Sequence, residues 1–512
     1  MTTRNMVRIV IVAGVLGYFA YAHFKDKPAG PTAKTSVAIA SDAKQFSLGT
    51  LGFKTCEIKQ KRSGATTSAF CAPFSVPENR DAPNGRHIDL RLALIKSRAA
   101  AADNDIVVFL AGGPGQAAID TWPQIAGAFE PLRKHHHILL LDQRGTGGSN
   151  PLTCKRTDDE SDVGEDFAVE QARKSTRDCL SAVEKTADPR YYTTTIAADD
   201  LEAVRAALGN PPFDLVGVSY GTRMAQQYLM RYPDGVRSLV LDSVAPNEIA
   251  LGQDFATNLE NALKAQFSTC VQNQACKKAF GDPYANLFSL RDKLREKPEN
   301  FTYRDPTTFK TDTKRLDQYS LAGLVRMFAY TPETAALLPL SISRGLQGDY
   351  TSLVGQTQLL RGDMSDLTDN GMQMSVICSE DADLIAPRPD DEKSLLGNVL
   401  VKGIQTMCEV WPHGTRPADF HAPLKTDKPV LVLEGELDPV TPPRYGEQVV
   451  KNLSNARLII AKGQGHNVIG RGCIPKLVED FVTDLDPKKL DATCVDVLAA
   501  TPAFIDFNGA AP

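Results

Sequence analysis

Positive charge is not in excess here: 57 Lys and Arg face 62 Asp and Glu across 512 residues, a formal net charge of −5. Proteins that hold nucleic acid carry a basic face or stripe, so nucleic acid is not an expected partner. Long apolar runs are equally scarce. Only residues 9–22 (IVIVAGVLGYFAYA) are continuous enough to discuss, which excludes a polytopic membrane protein. No Cys-x-x-Cys occurs, so zinc-ribbon and thioredoxin-like readings lack their spacing. Internal repeats and low-complexity blocks are absent as well. What remains is ordinary globular composition, 42% hydrophobic and 23% charged, sufficient for a large core.

Arg4 and Arg8 introduce the apolar stretch, and Ala20-Tyr21-Ala22 closes it as an A-x-A-like cleavage site. That order is the pattern of a secretory signal, and the run is shorter than the ~20 residues a helix needs to cross a bilayer. Residues 1–24 are therefore expected to be a signal peptide or an anchor, and 25–49, rich in Lys, Pro, Ala, Gly and Thr, a linker. Membrane contact is expected only if the first segment stays uncleaved. Ten cysteines behind such a segment point to disulfides and to a periplasmic or secreted protein. Pairing sequential neighbours would close local loops with separations of 15, 25, 6, 30 and 21 residues, and that scheme is the expectation.

From about Ile88 strand-like and helix-like patterns alternate. The runs 105–110, 137–141, 213–218 and 238–241 are short and continuously apolar, and 201–208 keeps helical spacing up to Gly209. Apolar strands between helices predict a parallel sheet covered on both faces. After Pro246 the pattern becomes helical, with Leu259, Leu263 and Phe267 four residues apart, and few strand-like runs precede Asp427. Strand patterns resume at 429–433 and 457–460, before a closing helix at 477–485. The reading is an α/β core of residues 50–246 and 426–512, interrupted by a mostly helical cap at 247–425.

The strongest local signal is Gly217-Val218-Ser219-Tyr220-Gly221, lying between a predicted strand and a helix with Met224, Ala225, Tyr228 and Leu229 on one face. A strained strand-to-helix turn lifts a serine hydroxyl out of a sheet, and glycines on both sides relieve crowding. Ser219 is thus a candidate nucleophile. It needs a base and an acid to orient that base, and with such an elbow these follow in the order acid, then histidine. His466 sits in the Gly-flanked loop Gly463-Gln464-Gly465-His466-Asn467; only His413 and His421 otherwise follow Ser219, both near proline in cap or linker sequence. Asp438, past the strand 429–433, is the expected acid, with Glu434, Glu436 and Asp242 as rivals. Gly112-Gly113-Pro114-Gly115 follows another strand, and glycine leaves backbone N–H groups free to approach a developing oxyanion. The N–H groups of Gly113 and Tyr220 are the expected pair, with Gly112 the alternative to Gly113.

Two further runs suggest other chemistry. His135-His136-His137 is not expected to hold a metal, because successive strand side chains alternate between faces. Gly145-Thr146-Gly147-Gly148 lacks the Gly-Lys-Ser/Thr ending of a phosphate loop.

Taken together, these motifs resemble the proline iminopeptidase and tripeptidyl aminopeptidase branch of the α/β-hydrolases. The matching residues are 111–115 (AGGPG), 142–149 (DQRGTGGS) with 151–154 (PLTC), 217–222 (GVSYGT), 437–442 (LDPVTP) and Gly465-His466. The C-terminal part, with Cys473 and Cys494, resembles that of the exported tripeptidyl aminopeptidase-like members. The resemblance implies an α/β-hydrolase fold and a serine peptidase acting on peptides with a free N-terminus. Its triad would be Ser219, Asp438 and His466, and no metal or organic cofactor is required. Proline iminopeptidases usually have His before Gly-Gly-Pro-Gly, where this chain has Ala111, so proline specificity does not carry over. Residues 376–381 (VICSED) resemble the acid-bearing segment near the end of the cap, which implies Glu380, then Asp381, as anchors for a substrate ammonium. The same triad cleaves carboxylic esters, so an esterase is the alternative, and a non-catalytic binding protein on this fold a more distant one.

Overall fold

In a sheet covered on both sides every strand position is apolar, and side-chain alternation distributes successive residues between two cores. In the computed structural model, which describes residues 45–60, 64–99, 105–154, 165–304, 309–354 and 368–510, the central strands behave this way. Val108, Leu110, Leu139, Leu141, Leu215, Leu239 and Val432 enter one core, and their neighbours Val107, Phe109, Ile138, Leu140, Val216, Val240 and Leu431 the other. The apolar stretch 9–22 and its cleavage site lie outside the described residues.

The strands are β1 Gln45–Leu48, β2 Leu51–Lys59, β3 Thr66–Pro77, β4 His87–Ile95, β5 Ile106–Leu110, β6 His137–Leu141, β7 Phe213–Val218, β8 Val236–Asp242, β9 Glu299–Arg304, β10 Thr311–Leu316, β11 Val430–Gly435, β12 Ala456–Ala461, β13 Phe504–Asp506 and β14 Gly509–Ala510. Ten of them form one sheet in the order β1-β2-β3-β4-β6-β5-β7-β8-β11-β12. From β6 to β12 neighbouring strands run parallel. Strands β1 to β4 extend one edge as an antiparallel meander that joins β6 through β4. The sequence pattern, read as strand and helix only from about Ile88, does not show this extension, and β1 begins within the stretch expected to be linker. Its strands are less uniformly apolar because they bury fewer positions.

Helices Thr194–Ala207, Tyr220–Arg231 and Pro443–Val450 cover the first face, and Ala118–Phe129 and Ile474–Asp484 the second. Between β8 and β11 the chain builds a separate core on Leu259, Leu263, Phe267, Leu290, Leu294, Leu321, Phe328 and Ile342. This is the helical insertion expected from periodicity, with a β9–β10 hairpin that periodicity did not indicate. Helices Asn370–Glu380 and Val399–Cys408 depart from the expected cap. Met372, Val376, Ile377, Val401 and Ile404 are buried with the sheet core. Helical spacing shows that a face is buried but not which surface buries it.

The ten cysteines form five disulfides, Cys56–Cys71, Cys154–Cys179, Cys270–Cys276, Cys378–Cys408 and Cys473–Cys494, the expected sequential scheme. Among the described residues no helix is long and apolar enough to cross a membrane.

Strand β5 is followed in the chain by β6 on one side of it and later by β7 on the other. Loops leaving neighbouring parallel strands in opposite directions open a crevice at their C-terminal ends, where ligands of α/β sheets bind. The loop after β5 begins at Ala111 and the turn after β7 is Ser219. The topology therefore brings the Gly-Gly-Pro-Gly motif and the serine to one crevice.

Candidate active site

Ser219 occupies the single position between β7 and helix Tyr220–Arg231, with φ +56° and ψ −124°. A non-glycine residue there is held by its surroundings at a cost in backbone energy. Those surroundings require glycine on both sides. A Cβ at Gly217 would lie 2.4 Å from the carbonyl oxygen of Gly221, and one at Gly221 would lie 2.1 Å from that of Leu110. The Ser219 N–H donates to the Asp242 carbonyl at 2.9 Å, and the Thr222 hydroxyl donates to the Ser219 carbonyl at 2.6 Å. The turn is thereby pinned from both ends. The loop after β5 passes directly against it, since a Cβ at Gly112 would sit 3.2 Å from that of Ser219.

Asp438 and His466 meet. Asp438 Oδ2 lies 2.7 Å from His466 Nδ1, although 28 residues separate them in the chain. The remaining capacity of the carboxylate is filled: Oδ1 accepts the N–H groups of Val440 and Thr441 at 2.7 and 2.9 Å, and Oδ2 the Thr441 hydroxyl at 3.1 Å. Both residues are almost fully buried. A carboxylate on Nδ1 fixes the tautomer that presents Nε2 as a base. The cap contributes to the same loop. The carbonyl of Tyr330 accepts the His466 N–H at 2.8 Å, and its ring meets the imidazole edge-on at 5.4 Å between centroids.

The rival acids have other partners. Glu436 accepts the Gly463 N–H at 2.7 Å and Glu434 that of Val244 at 3.1 Å. Burial first, then the charges of Asp438 and Asp242, push the Glu434 carboxyl well above the usual range. Asp242 accepts the N–H groups of Val468 and Ile469, beyond the histidine. The other histidines are occupied as well: His413 Nε2 faces the Cys408 carbonyl, and both ring nitrogens of His421 face carbonyl oxygens.

Around the expected oxyanion site, Gly113 has φ +113° and Gly115 +102°. The loop is braced by a hydrogen bond from the Asp369 N–H to the Gly115 carbonyl at 2.9 Å. Tyr220 is the first residue of its helix, where an N–H has no intrahelical acceptor. In the Gly145–Gly148 segment the first two amides donate to the carbonyls of Ser149 and Gln143, and the last two to carboxylates, Gly147 to Asp369 and Gly148 to Asp142. Burial raises Asp142 to about 6 despite the amides of Gly148 and Ile119 that it accepts. The three histidines before and at the start of β6 diverge: His136 pairs with Asp105 at 2.9 Å, and His137 accepts the Ser97 N–H at 3.0 Å.

Glu380 and Asp381, expected as anchors for a substrate ammonium, lie inside the fold. Both are fully buried. Asp381 forms an ion pair with Arg223 at 2.9 Å and accepts the Leu251 N–H. Glu380 accepts the Thr194 N–H at 2.5 Å and the Thr194 hydroxyl at 2.9 Å, and that hydroxyl also contacts the Tyr220 hydroxyl at 2.6 Å. Burial, then repulsion from Asp381, raises Glu380 to about 8. These acids support the helix that starts at Thr194 and the residue after the serine. Nothing local in the sequence distinguishes such a pair from an exposed one, because its partners lie 158 and 186 residues away. Tyr330 gave no sequence signal either, whereas Thr441 stood within a quoted motif without a role.

The chain is similar to known hydrolases. The chain is 24% identical over 453 residues to serine protease Hip1 of Mycobacterium tuberculosis, covering 81% of this chain and 84% of that one. It is 24% identical over 455 residues to tripeptidyl aminopeptidase of Streptomyces coelicolor, covering 83% and 82%. To carboxylesterase B of Mycobacterium tuberculosis it is 26% identical over 466 residues, covering 81% and 84%. Residues 105–471 match the alpha/beta hydrolase fold family, and by that match, the elbow and its relatives the chain belongs to this family as a serine hydrolase.

Proposed function

We propose that this chain is an exported serine peptidase that removes one or a few residues from free peptide N-termini. The observation that carries the reading is the 2.7 Å contact between Asp438 and His466, on a loop roofed by the cap through Tyr330. A roof on the histidine disfavours an extended chain passing through the site and favours a chain end. The relatives named tripeptidyl aminopeptidase and serine protease support peptides as substrates and the amino end as the one bound. The five disulfides support export to an oxidising compartment, periplasmic or extracellular.

In this reading Ser219 Oγ attacks the scissile carbonyl while His466 takes its proton. Asp438 holds the imidazole and stabilises the imidazolium that forms. The N–H groups of Gly113 and Tyr220 receive the oxyanion. His466 returns the proton to the departing amine, and water, activated by the same imidazole, hydrolyses the acyl-enzyme. Ester cleavage by the same residues is the second reading, favoured by the similarity to carboxylesterase B.

The test compares two chromogenic peptide amides of equal length, one with a free and one with an acetylated N-terminus, with Ser219→Ala protein as the blank. Cleavage restricted to the free peptide is the expected result. Equal cleavage of both would remove the aminopeptidase reading and leave a general serine hydrolase. Cleavage of neither, with turnover of short acyl esters, would favour the esterase.

A further inference from the structure

Three consecutive backbone amides follow the histidine, those of Asn467, Val468 and Ile469, and all three are collected by two residues at the end of β8. The Ser243 hydroxyl accepts from Asn467 at 2.8 Å. Asp242 accepts from Val468 at 2.9 Å (Oδ1) and 3.1 Å (Oδ2), and from Ile469 at 3.0 Å (Oδ2). The main-chain carbonyl of the same aspartate accepts the Ser219 N–H at 2.9 Å. One residue thus holds the turn that carries the serine through its backbone and the loop that carries the histidine through its side chain. Two positive φ angles, +58° at Ser243 and +68° at Asn467, show that both segments are bent to make this junction.

We propose that Asp242 is a positioning residue of the hydrolytic site, which fixes the His466 loop relative to Ser219 and supplies, beside Asp438, a second negative charge to the imidazolium. This inference rests on the serine-hydrolase reading of the triad. The side chain is fully buried. The titratable groups facing it are Glu434 on β11, Asp438 in the loop after β11 and His466 in the loop after β12. Glu434 accepts a single amide, that of Val244, whereas Asp242 and Asp438 each accept two N–H groups, the setting that favours a carboxylate. Burial raises Asp242 to about 6, against the pull of the Val468 and Ile469 amides and of His466, so it is ionised at neutral pH and protonated under mildly acidic conditions. Both its oxygens accept and neither donates, which suits the ionised form.

A role confined to packing would not alter how the base titrates. A charge beside it does: removing a negative neighbour disfavours the imidazolium and lowers the pH at which it forms. The experiment follows the second-order rate of fluorophosphonate labelling of Ser219 from pH 4.5 to 9 in the wild type, Asp242→Asn and Glu434→Gln. An asparagine with its carbonyl in place of Oδ2 keeps the acceptor for Val468 and Ile469 at 3.1 and 3.0 Å, and loses the charge together with the 2.9 Å bond from Val468 to Oδ1. For Asp242→Asn the acidic limb is expected to move about 0.5–1 pH unit lower, with a fall in the plateau of about tenfold, while Glu434→Gln leaves the limb in place. An unmoved limb in a folded Asp242→Asn protein would overturn the proposal. Should that variant fail to fold, the His466 ring resonances of the wild type are titrated by NMR. Two inflections, the lower from protonation of the neighbouring acid, support the proposal, and a single inflection overturns it. A wild type that is not labelled at Ser219 would instead sink the serine-hydrolase reading itself.

Discussion

The carbonyl oxygen of Tyr330, in the cap, accepts the main-chain N–H of His466 at 2.8 Å. A Cβ added to Gly465 would stand 2.3 Å from that oxygen, so the cap and the histidine loop are in backbone contact with no side chain between them. The cap therefore sets the position of the base directly. The C-terminal run reinforces this: behind the Cys473–Cys494 disulfide it reaches the cap, where the Phe504 N–H donates to the Ala336 carbonyl.

Tyr330→Ala keeps the backbone hydrogen bond and removes the ring that meets the imidazole. An edge-to-face contact is worth ~0.5–1.5 kcal/mol, so kcat/KM should fall about 3–10-fold with little change in melting temperature. Tyr330→Phe should recover most of the loss. Steady-state kinetics on the free-amine peptide amide, with a thermal melt beside them, would show it; full activity in the alanine variant would mean that the ring does not orient His466.

Asp438→Asn should reduce kcat by about 10⁴-fold, because an amide can present N–H to Nδ1 and favour the wrong tautomer. Thr441→Val leaves the carboxylate in place and removes the hydroxyl that donates to it at 3.1 Å. One such bond is worth ~0.5–1.5 kcal/mol, which corresponds to a loss of about 2–10-fold. The contrast between the two variants is the measurement. A Thr441→Val protein as inactive as Asp438→Asn would place the hydroxyl, rather than the acid, in control of the ring.

Gly221→Ala should destabilise the fold as well as the site. The added Cβ meets the Leu110 carbonyl at 2.1 Å, a backbone contact that no side-chain rotation relieves. Overpacking of this kind costs ~1–3 kcal/mol or more, so the chemical-denaturation midpoint should drop clearly. Gly127→Ala, where a Cβ would meet nothing within 4 Å, is the matched control. Equal midpoints for the two variants would contradict the elbow geometry.

Stability should rise as pH falls from 8 to 5. Burial raises Asp142 and Asp242 to about 6 each, and burial with repulsion from Asp381 raises Glu380 to about 8. A folded-state pKa above the unfolded value means that the folded protein binds more protons across that window. The contribution is present at low pH and is lost as pH rises through the folded pKa. Asp105 acts oppositely and at lower pH: its hydrogen bond with His136 and the Arg237 charge outweigh burial and hold it below the usual carboxylate range, so acid eventually destabilises. Urea midpoints at pH 8, 7, 6 and 5 should increase in that order, by a free energy on the order of 6 kcal/mol in total. A decrease over the same interval would show that the folded protein takes up fewer protons than the unfolded chain there, and so that these acids are not raised.

The parallel strands, the serine turn, the disulfide scheme and the Asp438–His466 pair were all legible in the amino-acid order. The first three are local matters, and the pair was legible because its two loops leave neighbouring parallel strands at the same end of the sheet. A strand buried on both faces must be apolar at every position, and a serine held at φ +56° must have glycine where strand and helix backbones cross. Five cysteine pairs that close short loops likewise find their nearest neighbours in the chain. Other features were settled by contacts between distant segments. Helices Asn370–Glu380 and Val399–Cys408 carry the same periodicity as the cap helices but bury against the sheet core, and β1 to β4 extend an edge that their mixed composition does not announce. Glu380 and Asp381 read as available acids until Thr194 and Arg223 enclosed them, and Asp242 read as a rival for Asp438 until the amides of Val468 and Ile469 reached it. Local pattern records what a residue needs, a buried face, a permissive φ or a partner for its charge. Only the folded chain decides which distant group meets that need, because the partner is chosen by packing over more than a hundred residues of sequence.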